Sequence, residues 1–459
     1  MSEYTTDLIV IGAGPGGYAC AFRAADLGRQ VTLVDARAEL GGVCLNEGCI
    51  PSKALLHAAE IIREADEIGG WGISLGTPEI DLDALRDKKS AIVAKLTAGI
   101  SGIAKRRKVR VVRGAARFTG PNSLDVDGET WTFKQAVIAT GSSPIHLPGW
   151  PEDERIWDSS AALELRNIPK RLAIVGGGII GLEMATIYAA LGSQVTVIEL
   201  FDQIAGNADA DAVRILSASL QEQGIVIHTA TKVLSVEAGK PALTLTCEGA
   251  FQGELQADAI IQAVGRRANG HALEAEKAGL SVNEQGVIAI DTGCRTEVPH
   301  IFAIGDVTGG PMLAHRATRQ GHVAAEVASE HAAAVSTDLI PSVAYTSPEL
   351  AWAGLTAEAA KAAGIGYKVA SFPWAASGRN LSSGGGDGLT KLVYEPDSGR
   401  ILGATIVGKN AGELLSECVL AMEMGATLED MSLAVHAHPT LSETTAFAAE
   451  RALGTLTDM

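Results

Sequence analysis

Two cysteines, Cys44 and Cys49, stand five positions apart in the stretch GGVCLNEGCIPSKALLH. Gly41, Gly42 and Gly48 loosen the backbone around them, and Pro51 opens a helical run, a position proline favours. The positive end of that helix, with Lys53 close by, favours thiolate over thiol and so makes a cysteine nucleophilic. A bridge over so short a ring is strained and more easily reduced than a structural one. Three readings of the pair stand on spacing alone: a redox-active dithiol, half of a zinc site that lacks the usual second pair, or two inert core thiols. The remaining Cys20, Cys247, Cys294 and Cys418 are isolated and expected to pack as small hydrophobes.

A second group of reactive types closes the chain in HAHPTLSETTAFAAERAL. Pro439 disfavours helix at His438, and Thr440 with Glu443 spells a capping box. Glu443 therefore has two readings, a helix cap or a carboxylate that orients the His438 ring and raises its basicity as a general base for a thiol. His436 is the weaker candidate, since only His438 has the fixed position before proline.

The elements that must position these groups are announced by an internal repeat. Residues 7–36, DLIVIGAGPGGYACAFRAADLGRQVTLVDA, align without a gap on residues 171–200, RLAIVGGGIIGLEMATIYAALGSQVTVIEL. Gly12, Gly14 and Gly17 fall on Gly176, Gly178 and Gly181, and Asp35 falls on Glu199. Each copy runs strand, glycine turn, Ala-rich helix, strand. The first glycine permits the tight turn, the second lets backbone approach a pyrophosphate, and the third lets helix pack on strand, with the acidic residue placed for ribose hydroxyls. Two such units in full context predict two dinucleotide sites. Glu199 is followed by LFDQIAG, with no Arg or Lys for a ribose phosphate, which favours NAD over NADP.

Beyond the repeat, AIIQAVGRRANG and TEVPHIFAIGD read as a return to the first unit. Past about residue 338, strand runs (VAYTS, YKVASF, LTKLVYE, ILGATIVG) alternate with helical patterns (AGELLSECVLAMEM, TAFAAERAL), and SSGGGDG at 382–388 reads as a flexible hairpin or loop. A length of 459 residues suggests about three domains. The expected division is 1–145 for the first part of one nucleotide-binding domain, 146–266 for the second, 267–337 for a return to the first, and 338–459 for a separate α+β domain. The fold class is α/β.

Composition narrows the function. With 37 Lys and Arg against 54 Asp and Glu, the formal charge of −17 repels phosphate backbones and argues against nucleic-acid binding. A hydrophobic share of 47% argues against disorder. No apolar run has membrane-spanning length, and the N-terminus enters a strand pattern without a basic region or cleavage site, so a soluble, cytoplasmic protein is expected.

In these residues the chain resembles the pyridine nucleotide–disulphide oxidoreductases, class I, and within them the branch that oxidises dihydrolipoamide for 2-oxo acid dehydrogenase complexes. The paired glycine units, GGVCLNEGCIPSKALL, ATGS at 139–142, TEVPHIFAIGD, VAYTSPELAWAG, ILGATIVGKNAGELLSE and HAHPTLSE occur in family order over nearly the whole chain. The resemblance implies two Rossmann-like domains and an interface domain. It assigns FAD to Gly12, Gly14, Gly17, Asp35, Gly141 and Asp306, with the helix near Met312 to His315, Ala314 included, facing the flavin. It assigns NAD to Gly176, Gly178, Gly181, Glu199 and Gly265, and no metal. Lys53 would lie beside the flavin, paired with Glu183, whose alternative is an exposed helical glutamate. Cys44 would meet the lipoyl group and Cys49 the flavin, while His438, held by Glu443, would take protons from the dihydrolipoyl thiols across a homodimer. Lipoyl domains and an acyltransferase core are the implied partners.

Departures from the family pattern are small. Val43 replaces the usual Thr, Asp35 is one methylene shorter than the frequent Glu, and Glu47 puts a negative charge next to the dithiol that would raise the thiol pKa values. Glutathione-type reductases carry basic residues after the second glycine loop, mercuric and high-molecular-weight thioredoxin reductases add a C-terminal cysteine or redox pair, and this chain has neither. Another NAD-linked flavin disulphide reductase, or a flavoprotein that is only a structural component of the complex, is the alternative. Intact Cys44, Cys49, His438 and Glu443 argue against the second.

Overall fold

The computed structural model describes residues 3–336 and 339–457. The expected boundary between 337 and 338 lies outside the described residues.

Alternating short apolar strands and Ala-rich helices fold as parallel sheets because each strand is buried on both faces. In the first sheet the parallel order is Arg110–Arg113, Val31–Asp35, Glu3–Ile11, Glu129–Ile138, with Ile301–Ala303 parallel to Glu129–Ile138. The late strand Ile301–Ala303 thus joins the first sheet. Ile9, Val10, Leu33 and Val34 are fully buried within this sheet. The helix Pro15–Asp26 buries only small residues, and a Cβ on Gly321 would stand 2.5 Å from the Gly16 carbonyl oxygen, so it packs tightly on the helix Ala314–Ala328.

The second sheet repeats the pattern in the order Val226–His228, Gln194–Ile198, Arg171–Val175, Ala259–Gln262, Ile156–Trp157, all parallel. Even the register repeats, Leu8 facing Val31 and Leu172 facing Val195. A three-stranded antiparallel sheet, from Thr231 to Ala257, is appended to it. The chain crosses between the two units as a narrow antiparallel ribbon, Ser142–Pro144 against Arg266–Ala268.

The C-terminal part is a five-stranded antiparallel sheet in the order Ser342–Ala344, Glu349–Gly354, Ile401–Gly408, Leu389–Tyr394, Lys368–Pro373. Helices Ala411–Glu423 and Glu443–Leu453 pack on it around a shared apolar core. Glu349–Gly354 was not among the strands anticipated from sequence, since its ELAWAG lacks polar alternation. Residues 383–388 do form a loop, but a fastened one: the Asn380 amide donates to the Gly386 carbonyl at 2.9 Å. No described helix is long and apolar enough to cross a membrane.

A buried ion cluster joins the second unit to this sheet. Lys391 Nζ donates to Asp209 Oδ1 at 2.8 Å and Asp211 Oδ1 at 3.0 Å, while Asp209 also accepts from Thr405 Oγ1 at 2.6 Å and the Ala357 amide at 3.0 Å. Burial pushes the Asp209 carboxyl up, but hydrogen bonds from Lys391, Thr405 and Ala357 outweigh it and hold the group below its ordinary value. Burial likewise works against the Lys391 ammonium, and the two aspartates reverse it and raise its pKa. A depressed carboxyl contributes stability above its unfolded value of about 4, and a raised lysine contributes below about 10.4. Lys391→Met is therefore expected to cost about 3–5 kcal/mol by leaving the buried Asp209 carboxylate without its cation. Thermal unfolding against pH checks it: the difference in Tm from the parent should be steady from about pH 5 to 9 and shrink below about pH 4, as Asp209 takes up its proton.

Candidate active site

The two glycine loops are shaped by steric necessity. Gly12 has φ +105°, and a Cβ there would stand 2.2 Å from the Ala139 carbonyl oxygen; a Cβ on Gly17 would stand 1.8 Å from the Gly12 oxygen. Gly176 and Gly181 repeat this, at 2.3 Å from Ala263 O and 2.0 Å from Gly176 O. The middle glycines differ, for a Cβ on Gly14 would meet nothing nearer than 4.0 Å and one on Gly178 nothing at all. Each of these two precedes the first residue of its helix, Pro15 or Ile179, so open space lies where backbone amides and the helix dipole face outward. Such a space has the polarity that a pyrophosphate requires.

The acidic strand ends complete each loop. Asp35 accepts from the Ala13 amide at 2.6 Å and the Arg37 amide at 2.8 Å; Glu199, buried, accepts from Gly177 at 2.5 Å and Phe201 at 2.8 Å.

A cavity of about 940 Å³ opens along the first loop, and Gly12, Gly14, Asp35, Gly141, Asp306 and Ala314 line it together with Cys44, Cys49, Lys53 and Glu183. Gly17, Gly176, Gly178, Gly181, Glu199 and Gly265 are not on its walls. Gly17 packs beneath the first loop, and Gly265, at φ +124°, sits beside Ile145 at the crossing ribbon. Ala314 begins its helix and lines the cavity.

Cys44 and Cys49 are joined as a disulphide, with Cα atoms 4.7 Å apart. They occupy different helices: Cys44 lies inside the short helix Gly42–Glu47, and Cys49 begins the helix Cys49–Glu67. The dipole argument thus holds for Cys49, and the helix starts two residues before Pro51. The turn is locked to the first loop, because a Cβ on Gly42 would stand 2.6 Å from the Gly14 Cα. The other four cysteines are buried and free, and burial pushes the Cys294 and Cys418 thiols up to about 12.

Lys53 Nζ donates to both Glu183 oxygens, at 2.8 and 2.9 Å, and lies 4.2 Å from the centre of the Tyr345 ring. Glu183 is 4% exposed, a buried partner and not a solvated helical glutamate. Pairing fixes the ammonium at the cavity wall and neutralises it, so it no longer acts as a free charge on the thiols. Glu47 is also paired, 3.2 Å from Arg37, which offsets the charge it brings to the dithiol.

Asp306 is held by a chain that sequence did not disclose: Arg266 Nε donates to Ser142 Oγ at 2.7 Å, and Ser142 Oγ to Asp306 Oδ2 at 2.5 Å. Burial holds the Arg266 pKa below its ordinary value. Gln320 Oε1 accepts from the Gly305 amide at 2.7 Å and shapes the same turn. Arg266, beside Gly265 at the end of an apolar run, carried a signal; Tyr345, Ser142 and Gln320 carried none.

His438 and Glu443 are brought together, Nδ1 lying 2.9 Å from Glu443 Oε1. Only half of the capping box forms. Glu443 Oε2 accepts from the Thr440 amide at 2.7 Å, but Ser442 is the residue before the helix, and Thr440 Oγ1 donates instead to the Ala437 carbonyl at 2.7 Å. The His438 side chain is 81% exposed and does not line the cavity of its own chain. In the chain just before it Leu433 and Val435 are exposed apolar residues, and so are Leu420 and Met424 at the C-terminal end of the helix Ala411–Glu423.

Comparison with known proteins agrees with this geometry. Residues 6–321 match the family model described as pyridine nucleotide-disulphide oxidoreductase, and residues 340–449 match the dimerisation domain of the same family. The chain is 50% identical over 465 residues to the dihydrolipoyl dehydrogenase of Vibrio cholerae, covering 100% of this chain and 98% of that one. It is 50% identical over 464 residues to the protein of that name from Haemophilus influenzae, covering 100% and 97%. Among solved structures it resembles the HOCl-induced flavoprotein disulfide reductase RclA from Escherichia coli, with a TM-score of 0.86, 26% identity and coverage of 96% and 98%.

Proposed function

The chain belongs to the pyridine nucleotide–disulphide oxidoreductases, and from that premise we infer that it acts as a homodimeric, FAD-containing dihydrolipoyl dehydrogenase that reduces NAD. The net reaction is dihydrolipoamide plus NAD⁺ giving lipoamide, NADH and a proton. The observation that carries the reading is the Cys44–Cys49 disulphide in the wall of the cavity that runs along the first glycine loop.

Gly12, Gly14, Gly17, Asp35, Gly141, Asp306 and the Ala314 helix end hold FAD. Gly176, Gly178, Gly181, Glu199 and Gly265 hold NAD. A carboxylate at Glu199 repels a 2′-phosphate, and Leu200 and Phe201 beside it are exposed and uncharged, which supports NAD over NADP. FAD, when bound there, would supply the two-electron chemistry that links the cysteine pair to NAD. The protein's own groups do the thiol chemistry. One dihydrolipoyl sulphur attacks Cys44 and Cys49 leaves as thiolate; the second dihydrolipoyl sulphur then displaces Cys44, releasing lipoamide and a reduced pair. His438, oriented through Nδ1 by Glu443, receives the thiol proton at Nε2. Lys53, pinned on Glu183, keeps the wall beside Cys49 charged yet compensated.

The division at 145, 266 and 337 places the two cofactor units and the interface domain in chain order. The partners are lipoyl domains and the acyltransferase core of a 2-oxo acid dehydrogenase complex, in the cytoplasm.

Alkylation tests the cysteine assignment directly. Protein reduced by dihydrolipoamide and then treated with iodoacetamide should carry label on Cys44 and Cys49 and none on buried Cys20, Cys247, Cys294 or Cys418. Label confined to a cysteine outside the pair would contradict the reading.

A further inference from the structure

The segment 434–440 carries two histidines, and each meets a carboxylate from a neighbouring helix. His438 is held only through Nδ1, and among the described residues no partner reaches its Nε2. His436 differs at every point. Its side chain is 9% exposed, its Nε2 lies 2.6 Å from Glu417 Oε1 on the helix Ala411–Glu423, and its Nδ1 lies 2.8 Å from the Ala434 carbonyl oxygen. Both ring nitrogens thus face an oxygen acceptor, and the ring is clamped between the Ala434 carbonyl and Glu417. The clamp reaches the second helix as well: Glu417 Oε2 accepts from Thr445 Oγ1 at 3.1 Å, two residues from Glu443. No other charged group lies within hydrogen-bonding distance of His436 among the described residues.

We propose that His436 and Glu417 are positioning residues for His438. The segment has no strand or helix of its own, and the His436–Glu417 pair ties it to one helix while Thr445 ties that pair to the helix bearing Glu443. The two histidines thus divide the work: one is clamped at both ring nitrogens and fixes the backbone, the other is held at Nδ1 alone and keeps Nε2 free. This inference rests on His438 being the proton acceptor.

The test uses the dimeric, FAD-loaded protein in two assays, oxidation of dihydrolipoamide by NAD and oxidation of NADH by ferricyanide, which requires no thiol proton. His436→Ala should lower kcat in the first by about ten- to hundredfold, the scale of a misplaced catalytic group, with a smaller change in KM and little loss in the second. His436→Gln, which keeps a donor toward Glu417, should recover part of the loss. In a His438→Ala background, His436→Ala should cost nothing further, because a residue that acts through another is not additive with it. Additive losses, or equal losses in both assays with release of FAD or dissociation of the dimer, would overturn the proposal. If His438→Ala lowers dihydrolipoamide oxidation and His436→Ala does not, the proposal fails alone; if His438→Ala has no effect, the underlying reading of His438 fails.

Discussion

Cys44→Ser is expected to lower dihydrolipoamide oxidation by about a thousandfold or more, the scale on which loss of a covalent participant is felt. The expectation follows from placement. Cys44 is the member of the disulphide that lies in the short helix Gly42–Glu47, while Cys49 begins the long helix that carries Lys53 toward Glu183. A serine oxygen can neither form the mixed disulphide nor be regenerated by it. It does fit the space, since Cys44 is only partly buried and the turn is fixed by Gly42 against Gly14. The variant should therefore stay yellow and dimeric and retain NADH oxidation by ferricyanide. Steady-state rates with both acceptors, beside a visible spectrum, check this; loss of both activities together would show that the substitution damaged the fold.

His438→Ala is expected to cost about a hundred- to thousandfold in kcat/KM for dihydrolipoamide, the range of a general base. A dihydrolipoyl thiol attacks as thiolate, and without a positioned acceptor the proton must go to water. Glu443→Gln should produce a smaller loss of the same kind. Its amide oxygen can still accept from His438 Nδ1 and hold the ring, but the charge that stabilises the protonated imidazole is gone. Because His438 is exposed on its own chain and absent from the cavity walls, the deficit should also be complementable across subunits. Mixed dimers of Cys44→Ser and His438→Ala chains should regain activity, since one of the two sites then combines an intact dithiol with an intact histidine from the other chain.

The parts that sequence disclosed are those in which backbone stereochemistry leaves few options. The two glycine loops were legible because a tight turn under a strand, an open approach for phosphate and close helix packing each demand glycine at a fixed spacing, and the gapless repeat presented the demand twice. The cysteine pair was legible by its spacing, though not the fact that its members belong to separate helices. Contacts made across the chain were hidden. Ser142 supports Asp306 from 164 positions away and is itself held by Arg266, 124 positions further along the chain from it, and the Arg37–Glu47 pair offsets the charge that Glu47 brings to the dithiol. The half-formed capping box shows a local signal overridden: Thr440 matched the motif, but its hydroxyl found the Ala437 carbonyl, and Glu443 was left to serve His438 as well as the Thr440 amide.

The central claim, that this cysteine pair passes electrons from dihydrolipoamide to NAD, is tested most directly by one paired rate measurement on the purified yellow protein. NAD-dependent oxidation of dihydrolipoamide is followed beside NADPH-dependent reduction of glutathione disulphide. Rapid NADH formation is expected in the first, with no NADPH consumption in the second. A flavin-loaded protein inactive with dihydrolipoamide, or one that reduces glutathione disulphide with NADPH, would contradict it.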